Sequence, residues 1–290
     1  MKWWGWGVPE HSFSATDKPK FAPFVYEAIG VDVTAPAASV PSFDSLTVGA
    51  SRLPAGLGGV LRAALGDEFV LTDDMDRVVH TYGKGVRDLV RIRNNDLPRV
   101  PDVVVYPADE AQIVAIVRAV AEHDAVLIPF GGGSNIVGSL EPEPHETRPI
   151  VSLDLGRLNR VLSIDAESGL ARIQAGVLGP DMEEQLNADG WTMGHFPDSF
   201  THSTLGGWIA TRSSGMQSDR YGDIADITRG MRVVLPDGEI LVLRPLPSTS
   251  SGPSVREMIL GSEGRLGVIT EATVNIHRLP EVREIQAYFF

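Results

Sequence analysis

Asp102–Asn135 reads DVVVYPADEAQIVAIVRAVAEHDAVLIPFGGGSN, and the changes of rhythm within it decide the fold class. Asp102–Tyr106 is a short β-branched run of strand length. Pro107-Ala108-Asp109 interrupts it. Glu110–His123 then places Ile113, Val114, Ile116, Val117 and Val120 on one helical stripe. Ala125–Pro129 is a second apolar run too short for a helix, so the stretch predicts one βαβ unit. It runs directly into three consecutive glycines, Gly131-Gly132-Gly133.

Outward from this unit the elements become sparser. Upstream, residues 1–50 are rich in Trp, Pro, Ser, Ala and Gly and read as an extended arm, with a short helix near Phe24–Ile29. Leu57–Leu65 predicts a helix ended by Gly66, and Asp73–His80 a further helical turn. Downstream, strands are expected at Pro149–Asp154, Arg160–Asp165 and Gly169–Gln174. A helix over Pro180–Ala188 follows, with Pro early and Gly190 just beyond it. Met231–Leu235 and Glu239–Leu243 flank Pro236-Asp237-Gly238 as a hairpin. Val255–Leu260 predicts a helix and Gly267–His277 a last strand. Pro247–Pro253 is a low-complexity loop. There is no internal repeat, and strands outnumber helices without regular alternation. The fold class is α+β.

With 290 residues the chain can bury about three quarters of its unfolded surface, enough for one large domain or a domain with an extension. Its 43% apolar content and zero mean hydropathy fit a globular protein. No apolar run approaches the ~18 residues of a membrane span, and MKWWGWG at the start lacks the apolar segment of a signal peptide. The absence of cysteine removes disulfides, thiolate nucleophiles and iron–sulfur ligation. A net charge of -13 opposes broad nucleic-acid binding while leaving room for a local anion site.

Three segments carry the chemistry. Pro129-Phe130-Gly131-Gly132-Gly133-Ser134-Asn135 follows a strand; its glycines allow positive φ and close approach, and their N–H groups can converge on an anion. A tight turn alone would also use such glycines. Neither GxGxxG nor GxxxxGK[ST] is present. Pro197–Trp208, with Asp198, Ser199, Phe200, Thr201, His202, Ser203 and Thr204, continues through Thr211, Arg212, Ser213 and Ser214. Hydroxyls alternate there with Leu205, Trp208, Ile209 and Ala210, the mix of a partly buried ligand wall. Thr204 or Ser203 also reads as a helix N-cap. Glu263, Gly264, Arg265, Leu266, Gly267, Val268 and Ile269 lead glycines into a strand, leaving space for a flat ring or cofactor chain.

His195 sits among Gly194, Phe196 and Pro197, where it can act as acid or base, orient a phosphate, or pack within a wall. Arg212 can meet a phosphate or balance a carboxylate. Trp3, Trp4 and Trp6 are expected to pack the arm onto its own core. No HExxH, GxSxG or other metal or triad spacing occurs, and no metal is expected.

PFGGGSN, PDSFTHSTLGGWIATRSSGM and MILGSEGRLGVIT, in this order, resemble the FAD-binding domain of the vanillyl-alcohol-oxidase/PCMH flavoproteins, and within them the alkylglycerone-phosphate synthase family. Trp4-Gly5-Trp6-Gly7, Arg99–Val104, His145–Arg148 and Gly194-His195 add local likeness. The resemblance implies a PCMH-type fold of two α+β subdomains clasping one FAD non-covalently, with residues 1–96 as an N-terminal arm, 97–280 as the FAD domain and 281–290 as the start of a cap. It implies cofactor contacts at Pro129–Asn135, Asp198–Thr204, Thr211–Ser214 and Glu263–Ile269, with His195 and Thr204 at the reaction centre. The implied reaction exchanges the acyl group of acyl-dihydroxyacetone phosphate for a fatty alcohol, a step in ether-lipid synthesis; the alternative is an FAD-dependent oxidase or dehydrogenase of a 2-hydroxy acid or alcohol. Its partners would be a lipid-phosphate substrate and, as an option, a second copy of the chain as a homodimer. No nucleic acid or membrane span is implied. No targeting signal is visible, and a cytoplasmic or membrane-peripheral location is expected. Gly83-Lys84-Gly85-Val86-Arg87 departs from the family by lacking its histidine, and the family's catalytic tyrosine and histidine cluster has no counterpart before Phe290.

Overall fold

The computed structural model describes residues 2–8, 17–35, 41–246, 250–282, 284 and 286–288. Of the low-complexity loop expected at Pro247–Pro253, residues 247–249 lie outside the described residues, as do 283, 285, 289 and 290 of the expected cap start. The main helices are α1 (Phe21–Ile29), α2 (Ala55–Leu65), α3 (Asp74–Val79), α4 (Val86–Arg93), α5 (Glu110–Glu122), α6 (Gly179–Ala188) and α7 (Leu205–Thr211). The strands, in order, are β1 (Val70–Leu71), β2 (Val103–Val105), β3 (Val126–Phe130), β4 (Ile150–Asp154), β5 (Val161–Asp165), β6 (Leu170–Gln174), β7 (Trp191–Thr192), β8 (Thr228–Val234), β9 (Ile240–Leu243), β10 (Val268–Asn275) and β11 (His277–Arg278).

Two sheets organise two α+β subdomains. The first has the order β1-β2-β4-β3, and β2 and β3 both run parallel to β4. The βαβ connection expected from Asp102–Pro129 is present, but β4 lies between its two strands. Burial explains the insertion: Ile150, Val151 and Leu153 of β4 are almost fully buried, so this strand takes the centre. Asp109 starts α5 as its N-cap, its carboxylate accepting from the Gln112 N–H at 2.8 Å. The stripe Ile113, Ile116, Val117 and Val120 then packs onto this sheet.

Leu57, Leu61 and Leu65 of α2 and Val70 of β1 belong to the same core, so residues 55–71 are part of the first subdomain and not of a loose arm. Trp3 is buried with Val78, Tyr82, Ile92 and Val100, as expected of an arm packed on its own chain. Helix α4 was not expected from the sequence; of its apolar residues only Ile92 is buried, and it is held by tertiary contacts around Asp88 and Ile92.

The second sheet is antiparallel, β5-β6-β10-β8-β9, over a core that includes Ile173, Met182, Leu186, Trp208, Ile209, Met231 and Val274. Val234 and Val268 from this sheet reach into the first core. Beside them Glu110 of α5 accepts from Arg232 Nη2 at 2.5 Å and from the Thr270 hydroxyl at 2.7 Å. Burial opposes that carboxylate's charge, yet the Arg232 and Thr270 bonds hold its pKa below the ordinary range. Hydrophobic contact and this charged bridge, with the looser exposed pair of Arg118 and Glu239 at 3.8 Å, thus hold the two subdomains against each other. Among the described residues no helix is long and apolar enough to cross a membrane.

A second buried pair braces the first sheet. Asp102 is fully buried, accepting from Arg99 and from the N–H groups of Arg52 and Ile150. Burial alone would raise its pKa; Arg99 and the two N–H groups outweigh that and keep it lowered.

Candidate functional site

The chain leaves β3 at Phe130 and turns at once through Gly131–Asn135. Of the three glycines only Gly133 takes positive φ, at 67°. Gly131 and Gly132 are needed for close approach instead: a Cβ at 131 would lie 2.3 Å from Thr204 Oγ1, and one at 132 would lie 1.9 Å from the His202 carbonyl oxygen. The first glycine segment is therefore pressed against the second. None of the main-chain N–H groups from Gly131 to Ile136 has a protein acceptor among the described residues. Unpaired N–H groups on residues that line a cavity could bind an anion there.

The second segment reaches the same place by a helix start. Thr204 is the N-cap of α7, its hydroxyl accepting from the Gly207 N–H at 3.3 Å. The N–H groups of Leu205 and Gly206 donate to Val177 and Ala175 carbonyls. The protein itself uses these donors, so they are not open to a ligand at the start of α7. Trp208 Nε1 donates to Ser203 Oγ at 2.6 Å, fixing the indole in the wall.

The third segment locks against both. The N–H groups of Gly261 and Glu263 donate to Ile209 and Ala210 carbonyls at the end of α7. Glu263 adopts φ 52°, and its carboxylate accepts from Asn135 Nδ2 at 3.3 Å. Asn135 Oδ1 meanwhile accepts from the Val137 and Ser139 N–H groups, closing the glycine loop. A Cβ on Gly267 would lie 2.6 Å from the Val234 carbonyl oxygen, so only glycine lets the chain enter β10 here.

The three segments enclose one cavity of about 640 Å³, within the ~300–1,000 Å³ usual for small-molecule sites. Pro129 through Asn135, Asp198, Ser199, Ser203, Thr204, Thr211, Ser213, Glu263, Gly264, Gly267 and Ile269 line it. Phe200, Thr201, His202, Arg212, Ser214, Arg265, Leu266 and Val268 do not. Phe200 stacks on Trp208 and fills the space beside Gly179. Arg212 turns outward to Glu257 at 3.0 Å, the charge-balancing alternative for that residue. Strand alternation sends Val268 into the first core while Ile269 lines the cavity. Sequence reasoning missed Trp6, Ile136, Val137, Ser139, Leu140 and Leu155 as lining residues. Trp208 and Ala210, which the sequence placed in the wall of the second segment, do line it.

His195 is 1% exposed and stands behind the cavity wall. Its Nε2 is 2.8 Å from Ser213 Oγ, and Ser213 lines the cavity. Its Nδ1 has no hydrogen-bond partner. Burial pushes the imidazole down to about 4, against a weak opposing pull from Asp223, so it is neutral near pH 7. The approach to His195 is held by Glu183 of α6, whose carboxylate accepts from the Thr192 hydroxyl and the Met193 and Gly194 N–H groups. Glu183 carried no sequence signal beyond its place in a helix. Behind the glycine loop, His80 Nε2 meets Asp154 Oδ2 at 3.0 Å while its ring lies 4.1 Å from that of Phe130, bracing the end of β3. Among the described residues no cluster of His, Asp or Glu is placed to hold a metal.

The arrangement suits a dinucleotide. Among the described residues no lysine or arginine lines the cavity, so its phosphates would rest on the N–H groups of Gly131–Ile136, with Trp208, Leu155 and Ile269 as apolar wall for flat rings. The sequence signature of the FAD binding domain matches residues 101–244. The chain is 46% identical over 231 residues to the alkyldihydroxyacetonephosphate synthase of Trypanosoma brucei brucei, covering 79% of this chain and 37% of that protein. It is 34% identical over 182 residues to a D-lactate dehydrogenase of Anaerostipes hadrus, covering 62% and 37%. A solved structure of alkyldihydroxyacetonephosphate synthase superposes with a TM-score of 0.88 at 36% identity, covering 97% of this chain and 54% of that one. The chain thus spans about half or less of the length of the proteins it matches. The chain belongs to the PCMH-type FAD-binding flavoproteins, in their alkyldihydroxyacetonephosphate synthase-like branch, with non-covalently held FAD as its cofactor.

Proposed function

We propose that this chain is the FAD-binding part of an alkylglycerone-phosphate synthase, exchanging the acyl group of acyl-dihydroxyacetone phosphate for a fatty alcohol in ether-lipid synthesis. The fatty acid leaves with its carboxylate as the alcohol oxygen bonds to the same carbon, so no net oxidation occurs. The observation that carries the reading is the margin of similarity: 46% identity over 231 residues to a synthase, against 34% over 182 residues to a dehydrogenase with the same cofactor module. The bound flavin supplies the electrophilic ring.

The chain's own residues supply binding and order. The N–H groups of Gly131–Ile136 hold the pyrophosphate, and Asp198, Ser199, Thr211 and Ser213 offer polar atoms to the ribityl chain and substrate. His195 acts through Ser213: a neutral imidazole fixes that hydroxyl by a hydrogen bond and, holding no extra proton, can only accept one from it. Thr204 contributes mainly by capping α7, because its hydroxyl is already engaged with Gly207. Residues 97–280 with the α2–β1 segment form the cofactor domain, and residues 281–290 lead into a cap that completes the substrate pocket. A homodimer is supported by α1, which has no buried residue and exposes Phe24, Tyr26 and Ile29. The location we propose is cytoplasmic or membrane-peripheral.

The test is incorporation of labelled fatty alcohol into acyl-dihydroxyacetone phosphate by the full-length protein, with the flavin remaining oxidised. The second reading, a 2-hydroxy-acid or alcohol dehydrogenase, is favoured by the dehydrogenase relative. Anaerobic bleaching of the flavin by D-lactate, without alcohol incorporation, would replace the first reading with the second.

A further inference from the structure

Three tryptophans open the chain, and they end in different places. Trp3 is buried in its own cluster, while Trp6 stays 37% exposed and lines the cavity. A half-exposed indole on a concave wall leaves a large apolar face for a ligand to cover. Its ring centroid lies 6.2 Å from that of His202, whose carbonyl oxygen abuts Gly132. Trp6 therefore stands at the glycine-loop end of the cavity.

The turn that presents it is built for the purpose. The Lys2 N–H donates to the Gly7 carbonyl at 2.8 Å, closing residues 2–7 into a loop. Gly7 takes φ 79°, which a side chain would strain. A Cβ on Gly5 would sit 3.4 Å from Arg93 Nη2. Two cationic side chains from the body of the domain clamp this loop by its carbonyls: Lys84 Nζ donates to Lys2 O at 3.3 Å, and Arg93 Nε donates to Trp4 O at 2.8 Å. Lys84 is itself buried, and its own N–H donates to the Asn135 carbonyl of the glycine loop at 2.6 Å. One residue thus ties the tryptophan turn to the phosphate cradle. Besides the Lys2 carbonyl, Asp88 is near enough to favour the Lys84 charge, yet burial outweighs it, so holding this ammonium inside is costly unless the geometry it fixes is used.

We propose that Trp6 is a cofactor-binding residue, its indole stacking on a flat ring of FAD beside the pyrophosphate, and that Lys84 and Arg93 are positioning residues that hold it there. The inference concerns the cofactor alone and stands under either catalytic reading above; failure of alcohol incorporation leaves it intact.

The test is FAD affinity of the flavin-stripped full-length protein, read from flavin fluorescence, with thermal unfolding as the control for fold. Trp6→Ala should weaken binding about tenfold, as loss of one aromatic–base stack does, whereas Trp6→Phe should stay within about threefold. Lys84→Met should weaken binding in the same direction. The Trp6→Ala/Lys84→Met double variant should be no weaker than Trp6→Ala alone, because both act through one ring. Titrations with ADP and FMN assign the ring, since the loss falls on the half that Trp6 covers. If Trp6→Ala does not fold, Trp6→Leu against Trp6→Phe makes the same comparison of apolar bulk with and without a ring. FAD affinity unchanged in a folded Trp6→Ala or Trp6→Leu variant overturns the assignment of Trp6. Multiplying effects of Trp6→Ala and Lys84→Met overturn the positioning role of Lys84.

Discussion

His195 makes the acid stability of this fold calculable. Its imidazole is buried, bonded through Nε2 to Ser213, and has a pKa of about 4, with burial as the main cause. An unfolded histidine titrates near ~6.5. Between these values the unfolded chain binds the extra proton and the folded chain does not, so acidification favours unfolding. The contribution is fully present above pH ~6.5, is lost as pH falls toward ~4, and then levels off. The whole span is worth about 3 kcal/mol, of which about 2 kcal/mol falls between pH ~7 and pH ~5. His195→Gln keeps a group able to bond Ser213 but removes the titration. Urea unfolding of the flavin-stripped protein should therefore show wild type losing about 2 kcal/mol more than His195→Gln over that interval. Burial also lowers His202 and His277, but both titrate equally in the two proteins and cancel in the difference. Parallel pH profiles would refute the burial argument for His195. A wild type that gains stability on acidification relative to the variant would reverse its sign.

The glycine loop is open to a sharper steric test. Gly132→Ala places a methyl 1.9 Å from the His202 carbonyl oxygen, so the first two segments must part. Destabilisation of about 1–3 kcal/mol and at least tenfold weaker FAD binding are expected from thermal unfolding and flavin titration. Asp102→Asn breaks the buried pair with Arg99 and should cost about 3–5 kcal/mol in urea unfolding, a loss that Arg99→Lys, which cannot bond in a fork, reproduces in part. Glu110→Ala removes the bridge to Arg232 and Thr270 between the subdomains. Its effect should be modest on unfolding, about 1 kcal/mol for a partly exposed pair, but visible as faster hydrogen exchange in β8 and β10. Heat or acid precipitation should release all flavin to the supernatant, as non-covalent binding requires; colour retained in the pellet would contradict it.

The sequence by itself determined what depends on near neighbours. Period and breakers located β2, α5, β3, α6 and β9 to within a residue or two, because side-chain alternation and helical stripes are written locally, whereas β8 begins three residues before the expected Met231. The glycine-rich segments by themselves indicated main chain packed closely against a ligand or another loop; the flavin cofactor came from the resemblance of these long, ordered motifs to a flavoprotein family. Contacts between distant residues were another matter. That β4 separates β2 from β3, that α2 and β1 join the first core, and that Arg212 turns to Glu257 depend on which surfaces meet after collapse. Gly131 and Gly132 read in sequence as residues free to take positive φ. In the fold they serve because Thr204 and His202, some seventy positions away along the chain, leave no room for a Cβ. Glu183 carries no motif, and the short segments around Trp6 and Lys84 assign neither residue a role; their importance comes from burial and from partners that only the folded chain brings within bonding distance.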